Sequence, residues 1–131
     1  MKFEKVEDIW IWREGIDLCD EIYKMTAESR SSATHDYGLV NHMRRTVVSI
    51  PSNIAEGHGR DSPAEFRRFL FIARGSCVEL NTQLVIAHKV EELTDTEFSI
   101  LEDKCKRVCA GIFNLIRYLD KKPEKKSNGK T

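Results

Sequence analysis

The chain has 131 residues, 40% apolar, 8% aromatic and 32% charged. That length buries one substantial core without disulfide or metal staples, and the apolar share excludes an unfolded polyelectrolyte. Twenty-one Lys and Arg balance twenty-one Asp and Glu, which excludes coating of nucleic acid by bulk positive charge. No unbroken apolar run approaches the length of a bilayer span, and the opening residues lack the apolar stretch of an export signal. The expected setting is therefore the cytoplasm, with no membrane partner. In a reducing compartment Cys19, Cys77, Cys105 and Cys109 are expected to be free thiols filling small core positions. No metal and no cofactor are expected.

The first predicted helix covers residues 6–28. Its apolar stripe is Ile9, Trp12, Ile16, Cys19 and Tyr23, spaced by threes and fours. A polar stretch, residues 29–35, connects it to a second helix over residues 37–56. There Leu39, Met43, Val47, Ile50 and Ile54 face the core. Pro51 interrupts this helix, crowds the Val47 carbonyl and removes one donor, so a bend is expected. The Ser49 and Ser52 hydroxyls are candidates to satisfy the freed backbone. Gly57 and Gly59 then end the element, Gly57 through a left-handed exit.

The third helix starts with Ser62-Pro63-Ala64-Glu65, a capping hydroxyl, a proline in the first turn and a glutamate at the third position. Its core stripe is Phe66, Phe69/Leu70, Ala73, Cys77, Leu80, Leu84 and Ala87, and it is expected to run to about residue 92. The fourth helix opens on the box Thr94-Asp95-Thr96-Glu97. Phe98, Leu101, Cys105, Val108, Ile112, Leu115 and Leu119 repeat at an average of 3.5 residues, the seam of left-handed helix packing. Short connections make neighbouring helices antiparallel. The predicted fold is an all-α, up-down four-helix bundle over residues 1–120, followed by a disordered lysine-rich tail, 121–131.

Two features exceed what a lone bundle needs. Phe71, Val78 and Val85 recur every seven residues on the third helix, away from its core stripe. With Gly75 between them, they are candidate contacts for a homo-oligomer. Cys109, Phe113 and Ile116 flank the fourth helix's seam in the same way. Charge is also uneven, with seven arginines against four acids in residues 30–75. Arg44, Arg45, Arg60, Arg67, Arg68 and Arg74 are candidate phosphate contacts, because guanidinium suits bidentate phosphate binding. Arg45, Ser49, Ser52 and Glu56 form a polar face on the second helix that is expected to meet solvent, another subunit or a ligand.

The string Ser49-Ile50-Pro51-Ser52-Asn53-Ile54-Ala55-Glu56-Gly57, preceded by Arg44-Arg45 and followed by Phe66-Arg67-Arg68-Phe69, resembles the signature of the 23S rRNA intervening-sequence proteins. Trp12 and Tyr37-Gly38-Leu39 fit the same pattern. The resemblance spans about residues 3–120. It implies an antiparallel four-helix bundle that assembles as a ring of five, and distant similarity to accessory proteins of diversity-generating retroelements, which implies binding of nucleic acid. The family is named for the position of some of its genes within ribosomal RNA insertions, and that name assigns no activity. Pro51, Asn53, Glu56 and Gly57 are read as fold-and-assembly residues, with Glu56 pairing to an arginine. Glu56→Ala is accordingly expected to lower the melting temperature or break the oligomer.

No Glu-x-x-His, Walker A loop, Gly-x-Gly-x-x-Gly or Cys-x-x-Cys motif occurs. The expected role is therefore non-enzymatic. The expected partners are copies of the chain itself, RNA or DNA through the six arginines, or another protein in a scaffold without nucleic acid.

Overall fold

The computed structural model describes residues 5–27 and 35–121. A short 3-10 turn, Val6–Asp8, leads into α1 (Trp10–Met25), α2 (Tyr37–His58), α3 (Pro63–Lys89) and α4 (Asp95–Lys121), with no strand among the described residues. Cross-helix contacts fix the topology. Cys19 meets Val47, Thr46 meets Gln83, Cys77 meets Cys105 and Asp17 meets Lys104. Taken with Gly15 against Pro51, Gly57 against Phe69, Arg67 against Asp120 and Gly111 against Ile11, they run each helix antiparallel to its neighbours, giving an up-down four-helix bundle. Lys121, the predicted start of the tail, is the last residue of α4, and the rest of the tail lies outside the described residues, as does most of the predicted 29–35 connection.

Local chemistry sets the ends. Ser62 accepts from the Glu65 amide at 3.0 Å. Thr94 and Glu97 exchange reciprocal hydrogen bonds at 3.0 and 3.1 Å, closing a capping box. Asp36 caps α2 by accepting from Leu39 N. Helix α3 stops at Lys89, three residues short of the expected end. Glu91 adopts φ 64, and the Glu91 and Glu92 amides donate back to His88 and Ala87. This is a Schellman closure with glutamate where glycine is usual.

The core stripes of α2, α3 and α4 fall where the three-four spacing places them. Met43, Val47, Ile50, Ile54, Leu70, Ala73, Cys77, Leu80, Leu84, Leu101, Cys105, Val108 and Ile112 are all buried. The first helix differs. It buries Ile11, Gly15, Leu18 and Ile22, while Ile16 and Tyr23 are exposed and Trp12 and Cys19 are part-buried. The reason is Gly15. A Cβ there would lie 3.4 Å from the Pro51 ring, so the glycine face brings α1 close to α2 at the proline.

Helix α2 runs through Pro51 without a break. Neither serine takes the Val47 carbonyl freed by the proline. The Cys19 thiol donates to it from α1 at 3.4 Å, and Ser49 instead shares a short hydrogen bond with Ser76 of α3. Gly57 is also corrected. It lies inside α2, with no left-handed backbone. A Cβ there would sit 2.8 Å from Phe69 Cβ and 3.2 Å from the Phe66 carbonyl, so the residue is small because α3 crosses it. Gly57→Ala is expected to cost about 1–3 kcal/mol by overpacking, read as a fall in the denaturation midpoint at constant slope.

Helix α3 is long and apolar enough, by length and composition, to cross a bilayer. Two charges inside an otherwise apolar stretch hide the span-like average. In the bundle, its inner stripe packs against α2 and α4.

Candidate functional site

The outer face of α3 carries four exposed large apolar side chains. Phe71 is 41%, Ile72 42%, Val78 57% and Ile86 45% exposed. Val85, predicted with Phe71 and Val78, is half-buried. Gly75 lies among these residues, and a Cβ added there meets nothing within 4 Å. No other helix of the bundle therefore approaches Gly75 closely. Glycine in mid-helix costs about 1 kcal/mol against alanine, and no neighbour in the protomer accounts for it. On α4, Phe113 is exposed and Cys109 part-buried, but Ile116 is buried in the core and drops out of the second stripe.

The six candidate arginines do different things. Arg44 closes the C-terminus of α1, donating to the Tyr23 and Thr26 carbonyls and to Thr26 Oγ1, with its guanidinium 4.5 Å over the Tyr23 ring. Arg60 pairs with Glu56 at 2.8 Å and Arg68 with Glu65 at 3.3 Å, and both guanidinium groups stack on Phe69. The Arg68 guanidinium holds the Glu65 carboxyl below its usual range. Arg67 pairs with Asp120 of α4 and lies over Phe71. Arg74 lies 4.9 Å over the Phe113 ring, with its Nε buried and without a hydrogen-bond partner among the described residues. Arg45 is exposed, forms no ion pair among the described residues, and lines a recess with Tyr23, Asn41, Arg44 and Val48.

The polar face expected on α2 is divided. Ser49 turns to α3, Ser52 is exposed, and Asn53 donates to the Ser49 carbonyl of its own helix at 2.7 Å. A polar seam crosses the α2–α3 contact instead: His42 with Glu79, Thr46 with Gln83, and Ser49 with Ser76. Among the described residues Glu56 pairs with Arg60 alone, and that pair is exposed. Such pairs contribute about 0.3–0.5 kcal/mol, so Glu56→Ala is now expected to leave the melting temperature almost unchanged.

Sequence reasoning missed a buried pair. His35 Nδ1 lies 2.8 Å from Glu92, with both side chains almost fully buried, and Glu92 also accepts from the Asp36 amide at 2.8 Å. This ties the start of α2 to the α3–α4 connection. Glu92 had been placed at a helix end, which gave no signal of burial. No group of three or more His, Cys, Asp or Glu among the described residues is placed to hold a metal.

Four antiparallel helices with an uncovered third-helix face define a bundle protein of known kind. The family profile of the 23S rRNA-intervening sequence proteins matches residues 7–114, and the chain belongs to that family. No curated protein matches. Among solved structures, the chain is similar to a protein of unknown function from the S23 ribosomal protein family of Bacteroides thetaiotaomicron. The two share 18% identity and a TM-score of 0.74, over 82% of this chain and 98% of that one. At that identity the likeness establishes the fold.

Proposed function

We propose that this chain is a non-enzymatic, self-assembling bundle whose outer α3 face is the contact between copies, five in the ring that the family resemblance implies. One observation carries the reading. Phe71, Ile72, Val78 and Ile86 are exposed on a helix whose inner stripe is already committed to the core, and Gly75 among them leaves the backbone open to close approach. Burying such a surface releases about 25 cal/mol per Å² of apolar area. Association stabilises the folded state by mass action, so the melting temperature is expected to rise with protein concentration. A melting temperature independent of concentration across the micromolar range contradicts the proposal.

A second role for the same assembly is binding of RNA or DNA. It is favoured by Arg60 and Arg68, which both stack on Phe69 where α2 meets α3, and by Arg67 next along α3, all three with side chains about half exposed. Repetition around a ring multiplies their field. A gel shift at low salt that weakens steeply with added salt supports this role. No shift with any RNA or DNA leaves a protein scaffold as the function of the assembly.

A further inference from the structure

Three of the four cysteines converge on one place. Cys77 of α3 and Cys105 and Cys109 of α4 line a single recess of about 200 Å³, together with Val78, Asn81 and Lys106. All four cysteines of the chain are free thiols. Cys77 and Cys105 are buried, and Cys109 is part-buried. The Cys105 thiol donates to the Cys77 carbonyl at 3.4 Å, so sulfur on one helix touches the backbone of the opposing cysteine. A single small core position is filled as well by alanine or valine. Thiols on both walls of one crevice add redox chemistry that apolar fillers lack.

We propose that Cys77 and Cys105 form an oxidative modification site, at which a hydroperoxide converts the thiol pair into a disulfide joining α3 to α4. In the first step the Cys105 thiolate attacks the terminal peroxide oxygen. The O–O bond breaks, the departing oxygen takes a proton as an alcohol or water, and Cys105 becomes a sulfenic acid. In the second step the Cys77 sulfur attacks the Cys105 sulfur. The S–S bond forms, and the hydroxyl leaves as water with the Cys77 proton. The two thiols lose two protons and two electrons, and the hydroperoxide gains them.

The electrostatics favour that order. Contact with the Cys77 side chain holds the Cys105 thiol below its ordinary range, with the Lys106 ammonium acting in the same sense against burial and Glu102. That same contact, with burial, pushes the Cys77 thiol up. Cys19 is the internal reference. Burial pushes its thiol up to about 11, and it lies across the bundle against Val47. Cys77 directly precedes Val78, so the link would tether α3 beneath its outer face. The chemistry itself holds for a lone protomer and does not depend on self-assembly.

The test is peroxide titration of the folded chain, alkylation of the remaining thiols, and tryptic mass spectrometry without reduction. Trypsin separates the three thiols, because Cys77 falls in peptide 75–89, Cys105 in 105–106 and Cys109 in 108–117. The expected product is peptide 75–89 linked to 105–106 within one chain, lighter by two hydrogens, with Cys19 alkylated. Cys109→Ser keeps this link and Cys105→Ser abolishes it, circular dichroism confirming that each variant is folded. A link through Cys109, a link between chains, prior oxidation of Cys19, or over-oxidised thiols with no link each overturns the proposal.

Discussion

Replacing Glu92 by alanine is expected to lower the unfolding free energy by about 1–3 kcal/mol, the range for leaving a buried hydrogen-bonding group unmet. The carboxylate has two buried duties. It accepts from the Asp36 amide and contacts His35 Nδ1, each at 2.8 Å, where the His35 and Glu92 side chains are only 2% and 1% exposed. Alanine removes the acceptor of the Asp36 amide and leaves that donor unmet in a dry site. Glu92→Gln keeps an acceptor for the Asp36 amide and is expected to lose about half as much. Denaturant titration at constant slope measures both. A loss below about 1 kcal/mol for the alanine variant would show that the pair does not hold α2 to the α3–α4 connection.

The second large effect is on assembly. Val78→Glu is expected to weaken self-association by about 100-fold or more, because a carboxylate buried without a partner in an apolar contact costs several kcal/mol. Val78 is 57% exposed in the protomer, so the same change should leave the fold and its denaturant midpoint at high dilution nearly unaltered. Gly75→Leu offers an independent probe. A Cβ at Gly75 meets nothing in the protomer, and leucine favours helix by somewhat under 1 kcal/mol. The isolated subunit should therefore gain stability while the assembly is lost. Unchanged association in both variants would move the contact away from this face.

The contrast between α1 and the other helices shows what the sequence carried. On α2, α3 and α4 one apolar stripe stood out at three-four spacing, and it is the buried one. On α1 two series share that spacing. Trp12, Ile16, Cys19 and Tyr23 are bulkier, but Ile11, Gly15, Leu18 and Ile22 are buried. Hydrophobic spacing gives no weight to a glycine, yet Gly15 is where α1 meets Pro51. Rotating the helix by one residue, about 100°, exchanges the two faces.

The candidate site was partly legible for the same reason. Phe71 and Val78 stood out by their heptad spacing. Ile72 and Ile86 share a second heptad whose middle member is Glu79, the partner of His42, so the polar residue masked the series. The arginines were legible as charge but not as roles, since Arg44 folds onto the end of α1 and Arg60, Arg67 and Arg68 find carboxylates. Those partners depend on packing, which spacing along the chain does not encode. The end of α3 was overshot because Glu91 supplies the left-handed position without a glycine to announce it.

The most direct measurement is the mass of the unmodified chain in solution at micromolar concentration, by sedimentation equilibrium. An integral multiple of the 15.1 kDa protomer, collapsing to one copy in Val78→Glu, is the predicted result. A single-copy mass for the unmodified chain would mean that the exposed face of α3 meets no second subunit, and the account of this protein as an assembly module would be wrong.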